Sequence, residues 1–217
     1  MSAPTLPIGI AAAVLLATGA AAFTSQGRPA DLPGQLDTTR VAAGTYAVDG
    51  AHTLVQWSVD HFGFNPYFGL FGDVEGTLTI DPANLAGATV DVTIPVTSLS
   101  VVSGGLREHL FRPGADGARP DFFGPEPAPA RFRSTSVQPT GARDARIHGE
   151  LTLNGVTRPL AIDAQFTGAG DNPMNRRATV GFTGTAVIKR SDFGLTYALP
   201  LVGDEVELAI TAAFERR

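Results

Sequence analysis

From about residue 44 onward, apolar and polar side chains alternate with a period of two, the signature of half-buried β-strands. The clearest stretch is residues 147–166, IHGELTLNGVTRPLAIDAQF, where two alternating runs meet at Asn154-Gly155. That dipeptide suits the positive φ angles of a tight hairpin turn. Before the turn, Ile147, Gly149, Leu151 and Leu153 share one face and His148, Glu150 and Thr152 the other. After it, Leu160, Ile162, Ala164 and Phe166 continue the apolar face, because a turn with an even number of loop residues pairs odd positions with even ones.

The same pattern predicts strands over residues 45–48, 53–62, 67–81, 88–96, 130–137, 178–190 and 205–214. In residues 53–62, Val55, Trp57 and Val59 oppose Gln56, Ser58 and Asp60; in the last strand Val206, Leu208, Ile210, Ala212 and Phe214 oppose Glu205, Glu207 and Thr211. One interval breaks the pattern. Leu106, Leu110 and Phe111 fall at helical spacing, so residues 106–112 read as one short helix ended by Pro113-Gly114, and the Pro- and Gly-rich remainder up to residue 129 reads as a long ordered loop. Loops of that length are usually functional or lid-like. About eight strands in hairpin succession, each with one apolar face, must hide those faces together, and one helix is too little cover. Closure into an up-and-down barrel, or a sandwich, is the remaining solution. Strands of ten or more residues and the small inward residues Gly149, Ala164, Ala186 and Ala212 favour a barrel with room for one ligand over a filled one.

Composition sharpens this picture at a few points. A chain of 217 residues with 43% hydrophobic content makes one domain of ordinary size. A net charge of -5 leaves no basic footprint for nucleic acid. The first 22 residues carry no charged side chain, and residues 8–22 form an Ala-rich apolar segment ending in Ala20-Ala21-Ala22. This predicts a secretory signal peptide over residues 1–22, and hence an exported protein with no stable transmembrane span after cleavage; an uncleaved N-terminal anchor is the rival reading. Residues 23–43 read as a flexible lead-in and residues 44–217 as the barrel domain. With no cysteine in the chain there is no disulfide framework and no thiol nucleophile.

Taken in order, YAVDGAHTLVQWSVDHFG, LREHL, ARFRSTSV, HGELTLNGVTRPLAI, KRSDFGL and VGDEVELAI resemble the successive motifs of the YceI-like family, from Tyr46 to about Phe214. The resemblance implies an all-β, lipocalin-like antiparallel barrel, exported to the periplasm, that holds a polyisoprenoid, an isoprenoid quinone or a similar lipid. The chain departs from the family pattern at residues 114–129, where Pro and Gly replace the more usual run.

A polyisoprenoid tail needs a deep apolar slot, each buried CH₂ being worth roughly 0.8 kcal/mol. Trp57, Phe68, Phe71, Phe132, Leu151, Phe166, Phe182 and Ile188 are the candidates to line it, against the alternative of a filled core. His61 continues the parity of Val55, Trp57 and Val59, which makes it either a hydrogen-bonded core residue or a contact for a ligand head group. Arg158 shares a side with Leu151 and Leu160 near the end of the barrel; it either meets an anionic or quinone head or carries its charge out into water above the apolar wall. His52 is expected to bond within a turn, and Arg190 with Asp192 to form a structural polar pair beside a special backbone angle at Gly194. The four histidines show no metal spacing, and neither GxSxG nor a phosphate-binding glycine loop is present. The function predicted is a non-enzymatic lipid carrier or store without a cofactor beyond the bound lipid. The alternatives are a structural or stress-related envelope protein with a packed barrel, a hydrolase, and a membrane-spanning barrel, whose lipid face also alternates. A homodimer through residues 62–71 is a further possibility the sequence leaves open.

Overall fold

Ten β segments form the wall: β1 (Gly44–Val48), β2 (Leu54–His61), β3 (Asn65–Phe71), β4 (Glu75–Ile80), β5 (Thr89–Ile94), β6 (Ala130–Pro139), β7 (Asp144–Leu153), β8 (Val156–Asp171), β9 (Ala178–Lys189) and β10 (Val202–Arg216). These belong to a computed structural model that describes residues 31–217; the expected signal peptide lies outside them. Every pairing is antiparallel, in the order β1-β4-β5-β6-β7-β8-β9-β10-β2-β3, and β1 also pairs with β10 to shut the ring.

The topology resolves into eight strands because two of them are bent. β10 pairs with β2 from Val202 to Thr211 and with β1 from Phe214 to Arg216, so β1 and β2 are one strand broken at residues 49–53. The break is stapled by Thr53, whose Oγ1 accepts from the Ala213 N–H at 3.1 Å and donates to the Ala213 carbonyl at 3.3 Å. In the same way β3 pairs with β2 while β4 pairs with β1 and β5, the bend falling at residues 72–74 where Asp73 takes φ 52°. The sequence pattern reads residues 67–81 as one strand; a change of partner halfway along leaves no trace in alternation. The remaining connections follow the hairpin succession, and Asn154 (φ 51°) with Gly155 (φ 75°) form the expected two-residue turn.

The apolar set faces inward. Leu151, Leu153, Leu160, Ile162, Ala164 and Phe166 line the interior together with Leu208, Ile210, Ala212 and Phe214 of β10, while their polar alternates face out. This is the reverse of a membrane-spanning barrel, which turns its apolar side to lipid. Among the described residues no helix is long and apolar enough to cross a membrane.

The two ends of the barrel differ. At one end, Tyr46, Leu78, Ile80, Phe166, Ala169, Val180 and Phe214 form a packed cluster. Part of the lead-in lies against it: Gln35 bridges Ala169, Asp37 caps a 3-10 turn at Thr38–Arg40, and the Tyr46 hydroxyl donates to the Ala42 carbonyl at 2.8 Å. At the other end sits α1 (Gly104–Phe111), two residues longer at its start than the spacing predicts because Ser103 caps it by accepting from the Leu106 N–H.

Candidate ligand-binding cavity

A cavity of about 1110 Å³ occupies the interior, several times the roughly 150 Å³ of an engineered apolar cavity that already admits benzene. Its walls are the inward residues of all the strands. They extend to residues 38–41 at the packed end and to Leu106, His109, Leu110, Phe122, Phe123 and Tyr197 at the helix end.

Of the residues nominated from sequence, Trp57, His61, Phe71, Phe132, Leu151, Phe166, Phe182 and Ile188 line this cavity. Phe166, Phe182 and Phe214 meet edge to face with centroids 5.9 and 6.2 Å apart, an arrangement that tiles one stretch of wall without filling the lumen. Phe132 of β6, Leu151 of β7 and the buried Phe193 make a second cluster.

Two nominated residues stand elsewhere. Phe68 is 61% exposed, because its register partner on β2 is Ser58 and the pair faces outward; Phe71, opposite Val55, and Tyr67, opposite Val59, are the inward residues of β3. One strand cannot turn both an even and an odd position inward. Arg158 does lie opposite Leu151, as parity requires, yet its guanidinium is exposed and donates to the Thr157 carbonyl at 3.0 Å, so it takes the second of its two readings and carries its charge into water.

The helix end supplies groups that alternation cannot reveal. His109 Nε2 donates to Asp121 at 2.8 Å, and the ring stands edge-on to Phe122 and Tyr197 at 5.2 and 4.8 Å. Hydrogen bonds from Arg112 and His109 hold the Asp121 carboxyl below the usual aspartate range. His109 sat in plain view on a predicted helix; its position over the cavity depends on how the long loop folds, which periodicity does not encode.

Arg190 organises the loop from β9 to β10. It is 6% exposed and donates from Nε to the Gly203 carbonyl (2.7 Å), from Nη1 to those of Leu195 (2.7 Å) and Tyr197 (2.9 Å), and from Nη2 to that of Val202 (2.9 Å). The expected partner Asp192 is not in this set. The nearby carboxylate is Asp204, which accepts from the Ser191 N–H at 2.9 Å and hydroxyl at 2.8 Å. Burial alone would raise the Asp204 pKa, but the Ser191 bonds and the charges of Arg190 and Lys189 outweigh it and hold the group low. Gly194 does take the special angle, φ 75°. His52 bonds within its turn, to Asp49 at 2.7 Å.

A hollow antiparallel barrel of this topology matches known proteins. The model of the YceI-like domain matches residues 46–214. The chain belongs to the YceI-like family. Protein YceI of Escherichia coli is 36% identical over 172 residues, which is 78% of this chain and 85% of that protein. Among solved YceI-type and related structures, Burkholderia cenocepacia BcnA superposes with a TM-score of 0.63 at 23% identity, covering 76% of this chain and 98% of BcnA. A polyisoprenoid-binding domain of Saccharophagus degradans gives a TM-score of 0.50 at 14% identity, covering 79% of this chain and 98% of that domain. At those identities the two structures establish the barrel architecture. Among the described residues no group of three or more His, Asp or Glu side chains is placed to hold a metal ion.

Proposed function

We propose that this YceI-like barrel is a non-enzymatic binding protein that takes one long-chain amphiphile, a polyisoprenoid, an isoprenoid quinone or a similar lipid, for transport or storage in the periplasm. The observation that carries the reading is the apolar cavity of about 1110 Å³ running the length of the barrel. A void of that size lined by hydrocarbon and aromatic side chains suits a flexible branched chain, since each buried CH₂ contributes roughly 0.8 kcal/mol and the wall demands no fixed polar partner along most of its length. The packed-barrel alternative needs the interior filled by Trp57, Phe166 and their neighbours; they stand at its edge instead. The shared fold of the Saccharophagus degradans domain supports the ligand class, and the charge-free apolar leader supports export.

Native mass spectrometry of the purified protein tests this. A co-purifying adduct of lipid mass, or stoichiometric uptake of an added polyprenyl compound, is the expected result; a clean apo mass that takes up none of a series of polyprenyl compounds defeats the reading.

A further inference from the structure

On one side β8 outruns its neighbour. β7 begins at Asp144, opposite Gln165, while β8 continues to Asp171, so the last residues of β8 extend past the end of β7. Residues 33–41 of the lead-in lie beside them. The Gln35 N–H donates to the Ala169 carbonyl at 3.0 Å and the Ala169 N–H to the Gln35 carbonyl at 2.9 Å, which makes one rung of an antiparallel ladder. Gly170 permits the approach, since a Cβ there would stand 1.9 Å from the Pro33 carbonyl oxygen. Arg40 ties the far end of the segment back, its Nη1 donating to the carbonyls of Pro33 at 3.2 Å and Ala169 at 3.4 Å. Between these ties, Thr38, Thr39 and Val41 line the cavity, at the end where Pro82 and Leu85 of the β4–β5 connection and Ala142 of the β6–β7 turn also line it. The segment thus lies across the end of the tube before it enters β1 at Gly44. The turn at Thr38–Arg40 buries none of its own residues, so the hold is mostly polar. The match to the YceI-like domain starts only at Tyr46, which leaves this segment upstream of the matched residues.

We propose that residues 33–41 form the floor of the cavity and set the longest chain the barrel can enclose. A hydrocarbon tail lying along the tube gains from each added carbon until its tip meets Thr38, Thr39 and Val41; carbons beyond that point stay outside and add nothing. The length limit then belongs to the lead-in, and a change of a few residues there alters it without touching the strands of the wall. This assignment rests on the lipid-binding reading and adds a specificity element to it.

The test measures the affinity of the purified protein for farnesol, geranylgeraniol, solanesol and undecaprenol, prenols of increasing length, by native mass spectrometry. In the wild type, affinity should rise with length and then level off. Gly170→Ala drives Pro33 off β8 and should let the rise continue. Undecaprenol should then bind at least about tenfold more tightly than to the wild type, a ratio that burial of about two further CH₂ groups already gives. Hydrogen exchange at the Ala169 amide should quicken in the same variant, because its bond to Gln35 is lost. Thr38→Phe adds bulk at the floor and leaves β8 alone; it should move the levelling to a shorter prenol and lower the plateau about tenfold. Levelling at the same prenol in the wild type and both variants overturns the proposal, and so does a wild-type affinity that still climbs through undecaprenol. Thr38→Phe decides the matter where Gly170→Ala fails to fold or leaves the Ala169 amide as slow as before. If no prenol binds the wild type, the lipid-binding reading fails and this proposal falls with it.

Discussion

The packed end and the helix end of the barrel are held together by different forces. At the packed end Tyr46, Ala169 and Val180 are each 1% exposed, and every member of the cluster but Ala88 sits on a paired strand. At the helix end the β5–β6 and β9–β10 connections are long, Phe64 stands 86% exposed, and order comes from polar ties: Arg190 to four carbonyls, Asn154 Nδ2 to the Phe193 carbonyl at 3.0 Å, His109 to Asp121. One charged group does cross the division, since buried Glu215 accepts from Asn172 and Asn175 at 2.8 and 2.7 Å and fastens the β8–β9 turn at the packed end. The contrast shows how one closed sheet combines two kinds of order: hydrophobic packing fixes the shape of the tube, and hydrogen bonding shapes the loops at its other end.

Mutations at the two ends should therefore behave differently. The largest effect is expected for Phe214→Ala, which removes a buried aromatic from the packed cluster and should lower unfolding free energy by about 4 kcal/mol in denaturant titration. Hydrogen exchange in residues 195–203 should change no more than global stability requires. Arg190→Ala should come next, at about 3 kcal/mol, because it strands four carbonyl acceptors. Here exchange should rise first in residues 195–203, and Arg190→Lys should recover little, since an ammonium cannot span the same fork of acceptors. Equal loosening at both ends in either variant would erase the distinction.

Gly69→Ala should cost about 2 kcal/mol by overpacking, with a shift in Trp57 fluorescence emission as the indole gives way. Acid should tell on the helix end through Asp204. Its pKa in the folded protein is depressed, so the stability it contributes is present above the unfolded-state pKa and is lost as pH falls through the lower folded value. The prediction is that Asp204→Asn flattens the decline in melting temperature below the ordinary aspartate range and changes little of its slope near neutrality. The smallest effects belong to the exposed residues. Phe64→Ala should alter stability by less than about 0.5 kcal/mol, and Arg158→Ala should leave lipid affinity unchanged in a binding titration.

How far the sequence alone could go follows the same division. Wherever a strand keeps one partner on each side, alternation assigns inward and outward correctly, and Trp57, His61, Leu151, Phe166 and Ile188 were legible on that ground. Phe68 was not: Phe68 and Phe71 stand at opposite parity on one strand, and only the pairing with Ser58 decides which of them faces outward. The bends at residues 49–53 and 72–74 arise from a change of partner, a property of two strands that neither sequence carries alone. Groups at the helix end, His109, Phe122, Phe123 and Tyr197, reach the cavity through tertiary loop packing, for which residue spacing has no signature. The same holds for Arg190: a neighbouring aspartate in sequence suggested an ion pair, whereas main-chain oxygens from the far side of its own loop are what it binds.

That choice of acceptor has a consequence for where such a protein can work. Burial draws the Arg190 pKa below the usual arginine value, but a guanidinium keeps its proton throughout the neutral and mildly acidic range. Carbonyl oxygens have no proton to gain in that range either. The clasp on residues 195–203 is thus the same at about pH 5 as at about pH 8, across the interval where a histidine-based fastening would change its charge. The loop of residues 195–203 keeps its shape on a cation and main-chain oxygens, neither of which exchanges a proton over that interval.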